Sequence, residues 1–99
     1  MRNLSKEFEQ RKVCISVNST TEIDILLDVI HNSLYIDVAF AKSRLQHGVY
    51  SRWFTEGYML CIGLPNEENF VEVLSKKYFT ERDYDVVDKN EFIENLRMW

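Results

Sequence analysis

Lys12-Val13-Cys14-Ile15-Ser16-Val17-Asn18-Ser19-Thr20-Thr21-Glu22-Ile23-Asp24-Ile25-Leu26-Leu27-Asp28-Val29-Ile30 decides the fold. Its first six residues are rich in β-branched side chains and end at the polar cluster Asn18 to Thr21, the pattern of a half-buried strand followed by a turn. Ser19 precedes Glu22 by three, which is capping-box spacing, so a helix starts there. Ile23, Leu26, Leu27 and Ile30 then recur at i, i+3, i+4 and i+7, with Asp24 and Asp28 opposite, and give that helix one apolar stripe to bury. Glu22 and Asp24 in its first turn suit the positive end of the helix dipole, so they are helix electrostatics and not a catalytic carboxylate pair.

Upstream, residues 1–11 carry only Leu4 and Phe8 as large apolar groups, spaced i,i+4, which predicts a short helix that docks or frays beside a single domain over 12–99. Downstream, residues 34–47 fit two patterns. Tyr35 to Phe40 alternates loosely like a strand, whereas Asp37 could cap a helix with Val38, Ala41 and Leu45 on one side; the helix is preferred, with Gly48 as its stop and Arg44 and His47 near its negative end. Val49 to Thr55 and Tyr58 to Gly63, separated by Glu56-Gly57, read as a β-hairpin whose glycine supplies a positive φ. Leu64 to Asn69 is a polar loop, and Phe70 to Leu74 reads as a third antiparallel strand, against a competing helix from Asn66. Ser75 to Asp83 is a turn or single helical turn and Tyr84 to Val87 a last strand. Asp88 and Glu91 then form a second capping box, opening a helix through Phe92, Ile93 and Leu96. The order strand, helix, meander, helix predicts an α+β domain: a small antiparallel sheet with helices on one face.

Length and composition agree. The 99 residues are 45% hydrophobic, 13% aromatic and 28% charged, with three glycines and one proline, enough for one core and far from disordered compositions. The longest apolar runs span a few residues, against the roughly 20 a membrane helix needs, and Met1 to Glu7 has no apolar stretch behind it, so the expected location is cytoplasmic. The net charge of −4 is uneven: seven bases balance seven acids in residues 1–65, while nine acids face five bases in 66–99. Basic residues pair only as Arg11-Lys12 and Lys76-Lys77, without the stripe that phosphate binding requires, so direct nucleic-acid binding is disfavoured.

Chemistry-bearing motifs are few. Phosphate-loop, dinucleotide, zinc-protease and hydrolase-elbow patterns do not occur. Cys14 and Cys61 lie in apolar runs without CxxC spacing and read as small buried hydrophobes, and His31 and His47 sit near predicted helix ends, where the dipole explains them. Neighbouring acids such as Glu67-Glu68 or Asp83 and Asp85 read as solvated side chains and not as ligands, so neither a metal, a cofactor nor enzymatic activity is expected. The rings stand out: Tyr50, Trp53, Phe54 and Tyr58, then Phe70, Tyr78, Phe79, Tyr84, Phe92 and Trp99. Most belong to the core, but alternation along Val49 to Phe54 puts a large ring on both faces of the expected hairpin. An exposed ring among charges is typical of protein interfaces.

The strand Val13 to Val17, the capped helix through Ile30, the aromatic hairpin, Tyr78-Phe79, Tyr84-Asp85-Val86-Val87 and Glu91-Phe92-Ile93 together resemble small accessory proteins of bacteriophages and prophages over residues 12–96. A glycine often precedes the late tyrosine in such families; here Asp83 does. The resemblance implies an inhibitor of host defence or of a host enzyme, anti-CRISPR proteins included, acting in the cytoplasm of a bacterial host. On that reading the chain is a monomer or homodimer that presents Glu67, Glu68, Glu72, Glu81, Asp83, Asp85, Tyr84 and Trp53 to the basic groove of a bacterial nucleic-acid-handling protein, without touching nucleic acid or membrane itself. The alternative is a homo-oligomeric regulator that binds a small molecule or nucleotide between sheet and helix, with Arg44 or Arg52 as the anion contact.

Overall fold

The computed structural model describes residues 2–98. In chain order these form α1 (Leu4–Glu9), β1 (Val13–Val17), α2 (Thr20–Leu34), α3 (Ala39–Gln46), α4 (Val49–Thr55), β2 (Leu60–Gly63), β3 (Glu72–Ser75), α5 (Lys76–Thr80), β4 (Asp85–Val87) and α6 (Lys89–Arg97). The class is α+β. The sheet order is β3-β2-β1-β4, with β2 antiparallel to both β1 and β3, and β4 parallel to β1. The sheet is therefore mixed where an all-antiparallel one was expected, for a topological reason: β3 and β4 run the same way, so the chain between them must cross over the sheet. Helix α5 is part of that crossover.

Alternation along β1 divides the interior in two. Val13, Ile15 and Val17 point into the main core with Leu60, Ile62, Val73 and Val87, under Leu4 and Phe8 of α1, the Ile23, Leu26, Leu27, Ile30 stripe of α2, Ala41, Tyr50 and Phe92. Cys14 points the other way, into a smaller cluster with Cys61, Phe79 and Tyr84, against which Leu74, Tyr78 and Val86 pack. Helices thus cover both faces of the sheet and not one only, with α5 alone on the second. Gly63 permits this approach: a Cβ there would lie 2.6 Å from Cε1 of Phe79.

The decisive stretch folds as its spacing predicts. The Ser19 hydroxyl accepts from the Glu22 amide at 3.2 Å, and the Glu22 carboxylate reaches back to the Asn18 amide at 2.9 Å. Asp88 likewise accepts from Asn90 at 2.8 Å and opens α6. Helix α1 docks: Leu4 and Phe8 are buried, Phe8 meets Phe92 at 5.8 Å, and Asn95 bonds the Leu4 amide and the Arg2 carbonyl at 2.8 and 2.7 Å. Residues 39–46 are the preferred helix, with Asp37 accepting from the Ala39 amide at 2.8 Å.

The hairpin from Val49 to Gly63 does not form; Val49–Thr55 is helix α4. Gly48, at φ 74°, both closes α3, donating to the Leu45 carbonyl at 3.2 Å, and opens α4, its own carbonyl accepting from Arg52 at 3.1 Å. Gly57 does take a positive φ of 92°, but at the end of α4, where its amide bonds the Phe54 carbonyl at 3.0 Å. Tyr50 is consequently interior, and Val49, Trp53 and Phe54 lie half-buried against the core. No helix among the described residues is long and apolar enough to cross a membrane.

Candidate functional site

Strand β3 is an edge of the sheet, and two hollows adjoin there. The first, of about 340 Å³, is lined by Glu67, Glu68 and Glu72 together with Arg82, Leu74 and Tyr78. The second, of about 290 Å³, is lined by Trp53, Glu56, Tyr58 and Ser75 with the same Leu74 and Tyr78. A strip running from three carboxylates to three rings therefore lies over one sheet edge.

The loop that carries Glu67 and Glu68 is held from two sides. Arg11, which follows α1 in the left-handed conformation (φ 61°), donates to the carbonyls of Pro65 at 2.9 Å and Glu68 at 2.6 Å and to Asn69 at 3.3 Å. From the second face of the sheet, the Tyr84 hydroxyl donates to the Leu64 carbonyl at 2.6 Å and bonds Asn66 at 3.0 Å. These bonds tie down the backbone of the loop from which Glu67 and Glu68 project. Burial, reinforced by repulsion from Glu68 and opposed by Arg44, holds the Glu72 carboxyl above the usual carboxylate range.

Of the residues nominated from sequence, Glu67, Glu68, Glu72 and Trp53 come together on this strip. Glu81 lies 3.7 Å from Lys77 one turn back at the end of α5, and Asp83 is exposed in the turn after it. Asp85 sits on β4, the opposite sheet edge, 3.5 Å from Arg2. Tyr84 is a correction: it is 4% exposed, packed 5.0 Å from Phe79 with its hydroxyl bonded, so it supports the loop from beneath and offers no ring to a partner. The strip also holds Glu56 and Tyr58, which were not nominated from sequence; Tyr58 is 54% and neighbouring Met59 66% exposed.

The cations are built into the same surface. The Arg44 guanidinium lies 4.8 Å from the Trp53 ring, 5.4 Å from Phe40 and 5.7 Å from Tyr50, and Arg82 lies 3.7 Å over Tyr78. Arg44, nominated as an anion contact, is thus stacked among rings, and Arg52 is an exposed residue 3.9 Å from Glu56. Cys14 and Cys61 are fully buried; a hydrogen bond with Cys61, and then burial, push the Cys14 thiol up, away from a reactive thiolate. His47 bonds the Ser43 carbonyl of its own helix at 2.7 Å, and the His31 ring lies 3.4 Å from the Ile36 carbonyl. Among the described residues no three His, Cys, Asp or Glu side chains are grouped to hold a metal ion.

Compared with protein-family models, curated proteins and solved structures, the chain matches none.

Proposed function

We propose that the chain is a non-enzymatic interaction protein that inhibits a bacterial defence or nucleic-acid-handling protein, anti-CRISPR-like, by covering a basic surface with the strip along β3. The observation that carries this reading is that Leu74 and Tyr78 line both hollows, so three carboxylates and three rings form one continuous surface. Acids on a rigid loop mimic the charge of a nucleic-acid backbone, while half-buried rings supply the apolar contacts that hold an interface together. The strip competes with nucleic acid for one groove by like charge and by bulk, in the cytoplasm of a bacterial host. Association then slows with added salt, as it does for complexes steered by complementary charge.

The test is affinity capture from nuclease-treated bacterial lysate, comparing the wild-type chain with a Glu67→Lys, Glu68→Lys, Glu72→Lys triple variant whose folding is checked by denaturation. A single stoichiometric protein should elute with rising salt, be displaced by added oligonucleotide, and be lost with the triple variant. Equal capture by the triple variant, or indifference to oligonucleotide, contradicts the reading.

A further inference from the structure

Three rings and a carboxylate around one small hollow suit a particular kind of guest. Trp53 and Glu56 come from the end of α4, Tyr58 from the turn that follows, and Tyr78 from α5, with Leu74 and Ser75 of β3 as the floor. A volume of about 290 Å³ falls just under the roughly 300–1,000 Å³ of pockets that enclose whole drug-sized ligands, which matches one side chain better than a nucleotide. The faces of aromatic rings carry negative potential and attract cations, and ammonium groups bearing alkyl carbon are held by such ring clusters. Two of the rings already hold cations from outside the hollow: Arg44 is on Trp53 and Arg82 on Tyr78, and neither arginine is part of its lining. Among the described residues Glu56 is the one charged side chain of the lining, a carboxylate that lies 3.9 Å from the exposed Arg52. Lys76 and Lys77 line an adjoining hollow that shares Tyr58 and Ser75 with this one, and neither lysine is part of the socket's lining.

Resting on the interaction reading above, we infer that the Trp53, Tyr58, Tyr78 hollow is a socket for the ammonium-bearing end of a lysine side chain of the basic partner. Charge complementarity selects the occupant: the adjoining hollow, in which Glu67, Glu68 and Glu72 outnumber Arg82, accepts the cations that flank such a lysine on a basic surface. The socket sets register, and the acids add long-range attraction.

The chemistry can be tested without the partner. Tetramethylammonium chloride is titrated against tert-butanol, its neutral isostere, at constant ionic strength. The readout is the Trp53 indole resonance, assigned with a Trp53→Phe variant, together with the Tyr58 and Tyr78 ring resonances. The cation should give a saturable shift and the alcohol should not. Tyr58→Ala, at an exposed position that leaves the core intact, should weaken binding about tenfold, the size of one partly desolvated cation–ring contact, and Glu56→Gln should weaken it less. A tetralysine peptide should move the same resonances and its fully acetylated form should not. Equal shifts from the alcohol, no saturable shift, or a tetralysine response confined to residues 67–72 each overturn the socket. Because capture from lysate is scored separately, an empty capture counts against the proposed function and a silent titration against the socket.

Discussion

Replacing Gly63 with alanine tests how tightly α5 is pressed onto the sheet. The added Cβ would lie 2.6 and 2.7 Å from Cε1 and Cζ of Phe79 and 3.3 Å from Cβ of Cys14, where carbon atoms prefer roughly 3.5–4.0 Å. The Phe79 ring must retreat by about 1 Å to restore that spacing. It is fully buried, with Tyr78 at 5.2 Å and Tyr84 at 5.0 Å, so the movement propagates into α5. Overpacking of this kind costs about 1–3 kcal/mol, and for a domain of this size each 1 kcal/mol lowers Tm by about 4–8 °C. The backbone at Gly63 is not left-handed, so alanine brings no conformational strain, and its lower unfolded-state entropy works in the stabilising direction. A net loss therefore reports the collision alone. Urea denaturation should show a lower midpoint with an unchanged slope. In a Phe79→Leu background, which lacks the two ring atoms, Gly63→Ala should cost less by at least about 0.5 kcal/mol. A neutral Gly63→Ala, or strictly additive losses, refutes the reasoning. The tetramethylammonium response of the hollow should also weaken, since Tyr78 adjoins Phe79 on the displaced helix.

Three further outcomes follow from single residues. Tyr35 ends α2 at φ 57° and is 88% exposed, so Tyr35→Gly relieves a left-handed backbone at little packing cost and should raise stability by about 0.5–1 kcal/mol in thermal melts; a loss would mean that the ring is held by something in solution. The Tyr50 hydroxyl is buried without a hydrogen-bond partner among the described residues, the Val73 backbone beside it falling short of bonding geometry, and burial pushes its pKa up to about 12. Tyr50→Phe should accordingly be neutral or stabilising by up to about 1 kcal/mol, and a loss beyond that in urea would show that the hydroxyl is bonded. A carboxyl raised in the folded state, as at Glu72, adds stability at low pH that is lost as pH climbs through the raised value, so Glu72→Gln should exceed wild type at pH 7 and converge on it towards pH 4; parallel curves would rule out the burial effect.

What could be read from the chain was what neighbours in sequence decide. The β1–α2 unit was legible because its cap and its stripe lie within nineteen residues, and α6 for the same reason. Val49–Thr55 was not, because seven residues are too few to separate period 2 from period 3.6, and a left-handed glycine ends a helix as readily as it turns a hairpin. Asp83 is informative in the same way: at φ 63° it occupies the left-handed position where glycine was anticipated, and an aspartate tolerates it. The acids of the strip were visible as charges, but their meeting with Trp53 and Tyr58 depends on which sheet edge β3 occupies, which is tertiary information. Tyr84 misled because flanking acids suggest a surface. On β4's approach, however, alternate side chains point under α5, and a carbonyl is waiting there for the hydroxyl.

The clasp of α1 onto α6 bears on how quickly the molecule can assemble. Leu4 bonds Asn95 across 91 positions of chain, Asn95 bonds Arg2 across 93, and interior strand β1 gets its parallel neighbour only after the crossover through α5 is complete. Closing such long loops precedes any reward from the contacts they enable, which makes the search for the native topology slow for a domain of this length. Helix α1 rests on β1, its neighbour in sequence, and on α6 far along the chain, so the side of Phe8 that meets Phe92 is covered only once residues 89–97 are in place.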